Sequence, residues 1–237
     1  MSSLVDEVRQ IVRHDIDPEF LKKIAIAIYW AYAELYDELA SNPDLTDAYR
    51  IERFAQLRGH RVAMAIARVS KQCGVPFNFR RLDCNGQEKL LVKAGRVIVL
   101  QEPILSLNEA PRSSDYKREL ADTHAVVRQL EFDFGDQPNR IRDWSGSVLG
   151  VILHGACGPD FSAQHKMLGG LFLAVPDEAY EGWLVRLDLH RIAFWGTSEE
   201  PTELDQPGDP EGQRPPMTQS DRVNVTPKKK DKEEEPE

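Results

Sequence analysis

The residue types most able to do chemistry lie close together in His154-Gly155-Ala156-Cys157-Gly158-Pro159-Asp160, with His165 a few residues on. The run follows an apolar stretch, and a strand opening into a glycine-rich loop offers a rigid scaffold with accessible backbone. Two reactive arrangements fit these types. Cys157 could act as a nucleophile with His154 or His165 as base and Asp160 as orienter. Alternatively His154, Cys157 and His165 supply three metal donors in the order His-x2-Cys-x7-His. Neither spacing is specific, because structural zinc sites usually show paired ligands twice. A turn whose glycines take unusual dihedrals, with the cysteine packed as a small apolar side chain, accounts for the run equally well and is preferred. The chain is therefore read with no cofactor and no metal, and as an enzyme only in the second instance, a small hydrolase or nuclease using the His154–His165 loop.

Other catalytic patterns fail on their own terms. Asp133-Phe134-Gly135 has no glycine-rich phosphate loop or catalytic-loop partner elsewhere in the chain, so it carries no kinase meaning. A metal-dependent nuclease needs a strand aspartate, which Asp83 could be, followed by a carboxylate and a lysine two places apart. The following strands read Glu88-Lys89-Leu90 and Gln101-Glu102-Pro103, and only a displaced lysine such as Lys93 would complete the set. No phosphate-binding loop, dinucleotide fingerprint, nucleophile elbow or zinc-protease motif occurs.

The stronger signal is charge. Between Asp47 and Val97 eleven cations face four anions, a net of +7 in a chain whose total is −9. Segregation of that size points to an anionic partner, or to acidic parts of the same chain lying against the basic one. Within this stretch a helix from about Thr46 to Gln72 sorts its charges. At 100° per residue, Arg50, Arg53, Arg61, Arg68 and Lys71 share a stripe about 80° wide, with Leu57 and Met64 in it and Phe54 loosely beside it. Ala48, Ile51, Ala55, Val62, Ile66 and Val69 are expected on the core face. Arg80, Lys89 and Lys93, at outward positions of the following hairpin, are expected to continue the basic surface. This surface would contact a nucleic-acid backbone or an acidic protein. The competing reading is a solvated face, or one paired with the acidic first 46 residues or with the chain's own acidic tail.

The elements that must position these groups read as α+β, a helical N-terminal part followed by a mainly antiparallel sheet with one packed helix. Leu4, Val8, Ile11 and Val12 repeat at helical spacing until Asp17-Pro18, which reads as an N-cap with proline at the first helical position. The second helix runs to about Ala40. Its stripe Leu21, Ile24, Ile28, Leu35 and Leu39 is widened by Ile26, Tyr29, Trp30 and Tyr32 until it is apolar nearly all round, which predicts burial in its own domain or, failing that, against a second copy as a homodimer. Gly59 within the third helix costs about 1 kcal/mol relative to alanine.

After Gly74 the period becomes that of strands. Phe77 to Asp83 and Gln87 to Lys93 flank Asn85-Gly86, a strong hairpin signal. Ala94-Gly95 turns into an apolar strand, Arg96 to Gln101, suited to burial on both faces. Ser113 or Ser114 caps a fourth helix to about Glu131. Ser147 to Leu153, Leu168 to Val175 and Trp183 to His190 are further strands, the last placing Trp183, Val185, Leu187 and Leu189 on one side. The Gly169-Gly170 pair precedes a strand and so marks a close backbone approach or bulge.

This divides the chain into a helical part over residues 1–74, a sheet part over 75–197 sharing one core with it, and a tail over 198–237. The tail has seven prolines, no aromatic residue and a net charge of −6, a composition that favours disorder. Three cysteines at irregular spacing and no apolar leader favour a reducing cytoplasmic setting. The longest apolar run, Ile24 to Ala33, is about half a bilayer span, so no membrane is expected.

Overall fold

The computed structural model describes residues 4–81, 88–121, 148–156, 166 and 168–191. Three helices open the chain: α1 (Leu4–Asp15), α2 (Pro18–Ala40) and α3 (Asp47–Gln72). Their starts follow local chemistry. The Asp17 carboxylate accepts from the Glu19 N–H at 2.9 Å with Pro18 just behind it, and the Thr46 hydroxyl caps α3. Among the described residues six strands follow, β1 (Phe77–Arg81), β2 (Glu88–Ala94), β3 (Val97–Pro103), β4 (Val148–Ala156), β5 (Leu168–Pro176) and β6 (Trp183–Asp188), with α4 (Asp115–Ala121) between β3 and β4. They form one sheet in sequence order, antiparallel throughout except for the parallel pair β3–β4. The chain is α+β, as its periodicities predict.

Side-chain alternation divides the sheet into two faces. Leu90, Val92, Val97, Val99, Ile152, Leu171, Leu173 and Val175 pack with the buried faces of α1, α2 and α3 in one core. Leu91, Ile98, Leu100, Leu149, Val151, Leu153, Phe172 and Ala174 form a second cluster on the other face, with Tyr116 and Ala121 of α4 against it. The run Val97 to Leu100 is buried on both faces, as its unbroken apolar character predicts.

The β2–β3 turn is tied to α1. Gly95 has φ of 56° and an added Cβ would lie 2.5 Å from Asp15 Cβ, so no side chain fits there. Asp15 accepts from the Arg96 backbone N–H and Nε, each at 2.7 Å, and from its terminal nitrogen at 2.8 Å. Those bonds hold the Asp15 carboxyl below its ordinary range.

Several expectations are corrected. The second apolar strand does not stop at Leu153. It runs to Ala156, with His154 paired to Leu171 and Gly155 to Gly170, so His154 lies within a strand and not at a loop mouth. Gly155 and Gly170 sit opposite each other because the segment after β3 crosses them: an added Cβ would meet the Ile104 carbonyl oxygen at 3.0 Å on Gly155 and the Leu107 side chain on Gly170. The last strand ends at Asp188, whose carboxylate accepts from the His190 and Arg191 N–H groups. A register shift at Val175/Pro176 turns Trp183 to the second cluster beside Tyr180 while Val185 and Leu187 stay in the first.

Helix α3 buries its face unevenly. Val62, Ile66 and Val69 are in the core as expected, but Ala48, Ile51 and Ala55 are exposed and Phe54 is buried against Tyr32. Helix α3 packs on α2 and also meets β1, β2 and β3, and its buried positions turn from the Phe54 side in the first turns to the side of Val62, Ile66 and Val69 later, so the buried arc rotates along the helix. The residues beyond Ala121 in the fourth helix, the Asn85-Gly86 turn and the tail lie outside the described residues.

Candidate functional site

His154 is fully buried on the helix-facing side of β4. Its Nδ1 lies 2.7 Å from the Tyr32 hydroxyl on α2, and its Nε2 lies 2.6 Å from Gln101 Oε1 on β3. The Gln101 amide nitrogen donates to the Gly59 carbonyl of α3 at 3.1 Å. That bond turns Gln101 Oε1 toward the ring, which assigns the proton to Nε2 and leaves Nδ1 to accept from Tyr32. One neutral imidazole therefore links α2, β3, β4 and α3. Burial, with the Arg58 charge acting in the same direction, pushes its pKa down to about 3. Burial holds the Tyr32 phenol well above its usual range, against a smaller opposing effect of Arg58.

A base for catalysis needs a route to substrate and a free lone pair in reach of the proton it takes. His154 has neither among the described residues, because both ring nitrogens are bonded to the chain. Cys157, Asp160 and His165, the other residues of the candidate loop, lie outside the described residues. Among the described residues no group of three potential ligands could hold a metal ion. Cys73 is a half-buried free thiol at the end of α3.

A second buried polar cluster occupies the other face of β3. Glu102 accepts from Lys117 Nζ of α4 at 2.5 Å and, at 3.4 Å, from the Tyr180 hydroxyl. Lys117 also donates to the Arg112 carbonyl at 2.6 Å and stands over the Tyr180 ring. Burial and the neighbouring carboxylate raise the Tyr180 pKa. Two hydrogen bonds and the Tyr180 ring hold the ammonium, which makes this cluster an anchor for α4.

Nine of the eleven cations of the basic block, all but Arg58 and Arg81, separate into three parts. Arg50 donates from Nε to the Leu39 carbonyl at 3.2 Å, and from its terminal nitrogens to the Asn42 carbonyl at 2.9 Å and to Asp47 at 2.8 Å. It thus closes the C-terminal end of α2. Arg61 pairs with Glu38 of α2. With the Asp15–Arg96 contact, these pairs show acidic helices α1 and α2 neutralising part of the block.

Arg80, Lys89 and Lys93 fall on the other side of the sheet. Phe77 and Phe79 pack into the helix-side core, so Arg80 between strand neighbours points away from it and stacks on Tyr116 of α4 at 5.3 Å. Lys89 and Lys93 share the side of Leu91 and are half-buried. The sheet therefore stands between these three cations and α3, and the stripe does not continue onto the hairpin.

The third part is Arg53, Arg68 and Lys71. All three are exposed, and none has an ion-pair or hydrogen-bond partner among the described residues. His60 and Met64 are exposed beside them, Met64 at 44%. Leu57 is half-buried against the core and drops out of the ridge. The sequence alone did not reveal Tyr32 and Gln101 as partners of His154. The one available hint was a tyrosine within an apolar helix, whose hydroxyl needs a partner when buried.

No protein-family model, no curated protein and no solved structure matches this chain.

Proposed function

We propose that the protein is a non-catalytic interaction protein whose α3 ridge, Arg53, His60, Met64, Arg68 and Lys71, engages an acidic segment of a partner protein. The observation that carries this reading is the contrast within α3. Arg50 and Arg61 are committed to α2, while Arg53, Arg68 and Lys71 remain uncommitted among the described residues around an exposed Met64. At 1.5 Å per residue the ridge is about 27 Å long. Long exposed side chains of one sign, interrupted by an apolar contact, suit an acidic amphipathic segment that alternates carboxylates with apolar residues.

A nucleic-acid backbone is less favoured. Three uncommitted cations on a chain of net charge −9 neutralise few phosphates, and tight backbone binding usually needs more contacts. The ridge offers no aromatic platform for bases. The hydrolase reading draws no support from His154, whose ring is closed in. A cytoplasmic setting fits the free Cys73 thiol, and no helix among the described residues is long and apolar enough to cross a membrane.

The test is fluorescence anisotropy with an acidic amphipathic peptide and, in parallel, a DNA duplex. The peptide should bind, weaken with added salt, and lose at least about tenfold in affinity when Arg53, Arg68 and Lys71 are all changed to Glu. Tighter binding to duplex than to peptide, or peptide binding that survives the triple reversal, would overturn the assignment.

A further inference from the structure

Helix α2 is buried where it faces α3 and the sheet, and open on the opposite side. Trp30 stands there, near the middle of the helix and 59% exposed. Tyr29 braces it edge-on, with ring centroids 6.4 Å apart. The all-round apolar character of α2 predicts burial for this tryptophan, and none of the described residues provides it. At 100° per residue, Ile26, Ala27 and Ala33 lie within about 60° of Trp30, and Lys23, Glu34 and Asp37 within about 40°. Ile26, Ala27 and Ala33 are each only partly covered.

The charges on this side are ordered along the helix. Lys22 and Lys23 precede Trp30, together with Glu19, which pairs with Lys22 at 4.0 Å, whereas Glu34, Asp37 and Glu38 follow it. Lys23 has only a weak 3.9 Å contact with the Cys73 sulfur, and Glu34 has no ion-pair partner among the described residues. Asp37 and Glu38 meet Lys166 and Arg61, but both carboxylates remain more than half exposed. Such a face, turned end for end about its centre, meets its own complement.

We propose that this face docks a second copy of the chain, α2 against α2, antiparallel about a two-fold axis at Trp30. A two-fold contact is self-complementary by construction, so the residue on the axis meets itself. Trp30 then packs on Trp30 of the second copy. Lys23 comes level with Asp37 and lies one turn from Glu34, and Ile26 comes beside Ala33. The two alanines allow the helix axes to approach toward the short end of the usual 8–10 Å range. A parallel arrangement would set Lys23 against Lys23 and Glu34 against Glu34, so the charge order selects the antiparallel one.

The self-association does not depend on what the Arg53–Lys71 ridge of α3 binds.

Sedimentation of the full chain over a range of concentrations tests the proposal. A monomer–dimer equilibrium is expected, and Trp30→Glu should abolish it while leaving the monomer folded with an unchanged far-ultraviolet circular dichroism spectrum, because the side chain is exposed. Lys23→Glu should weaken dimerisation by about tenfold, and adding Glu34→Lys to it should recover most of that loss. Under mild oxidation Trp30→Cys should give disulfide-linked dimers beyond those of the parent chain, whereas a cysteine at exposed Glu52 should not. A chain that is monomeric at every concentration, or a dimer indifferent to Trp30→Glu, would overturn the proposal.

Discussion

Tyr32 and His154 stand 122 residues apart in the chain and share a buried hydrogen bond of 2.7 Å. That bond joins the helical layer to the centre of the sheet and, with Gln101 on the other side of the ring, occupies both ring nitrogens of His154. Its dependence on pH can be measured. In the fold the ring titrates at about 3, whereas in the unfolded chain it titrates near its ordinary value of about 6.5. Between those values the unfolded state holds a proton that the native state lacks. The stabilisation is therefore complete above about pH 6.5 and falls as pH drops, by about 1.4 kcal/mol per pH unit. Urea unfolding of wild type and His154→Gln from neutral pH down to about pH 5 should show the wild-type advantage shrinking. Parallel pH dependences would mean that His154 is not held neutral.

Removing either partner alone should be costly. Tyr32→Phe keeps the ring's packing on Phe54 but leaves Nδ1 of a fully buried imidazole without a donor, a loss of about 1–3 kcal/mol. Equilibrium denaturation reads it directly. A loss below a few tenths of a kcal/mol would show that solvent reaches the histidine.

The Glu102–Lys117 pair should behave as a unit. Lys117→Met leaves a nearly buried carboxylate without its cation, which costs about 3–5 kcal/mol, whereas replacing both residues by apolar ones costs much less. A double-mutant cycle with Glu102→Leu should therefore return a large coupling energy. Additive effects would show that α4 is not anchored through this contact.

Gly59 should be replaceable. It lies inside α3 with ordinary helical backbone, and an added Cβ meets nothing closer than Gln101 Nε2 at 3.9 Å. Gly59→Ala should raise stability by about 1 kcal/mol through the lower entropy of the unfolded chain. A lower melting temperature would point to crowding by the Gln101 amide that bonds the Gly59 carbonyl.

Stability and binding should separate among the arginines of α3. Arg50→Ala removes the side chain that closes the end of α2 and should lower stability by about 1 kcal/mol with little effect on partner affinity. Arg68→Ala should do the reverse. Comparing melting curves with anisotropy for the two variants checks both halves, and equal effects on binding would show that the ridge does not end where the ion pairs begin.

The sequence by itself determined what depends on neighbours along the chain. The Asp17-Pro18 and Thr46 helix starts, the change of period after Gly74, the Ala94-Gly95 turn and the doubly buried run of β3 all follow from capping, dihedral preference and hydrophobic spacing, which act over a few residues. The sorting of cations onto one side of α3 was equally visible. What those cations do was not, because Arg50 and Arg61 find partners on α2, and Arg80, Lys89 and Lys93 are separated from α3 by the thickness of the sheet. Only the tertiary structure decided that the buried arc of α3 rotates along its length, that β4 lies parallel to β3, and that His154 sits inside that strand with Tyr32 and Gln101. Spacing along a chain specifies a face. Which face is covered, and by what, depends on elements tens of residues away that compete for the same buried area.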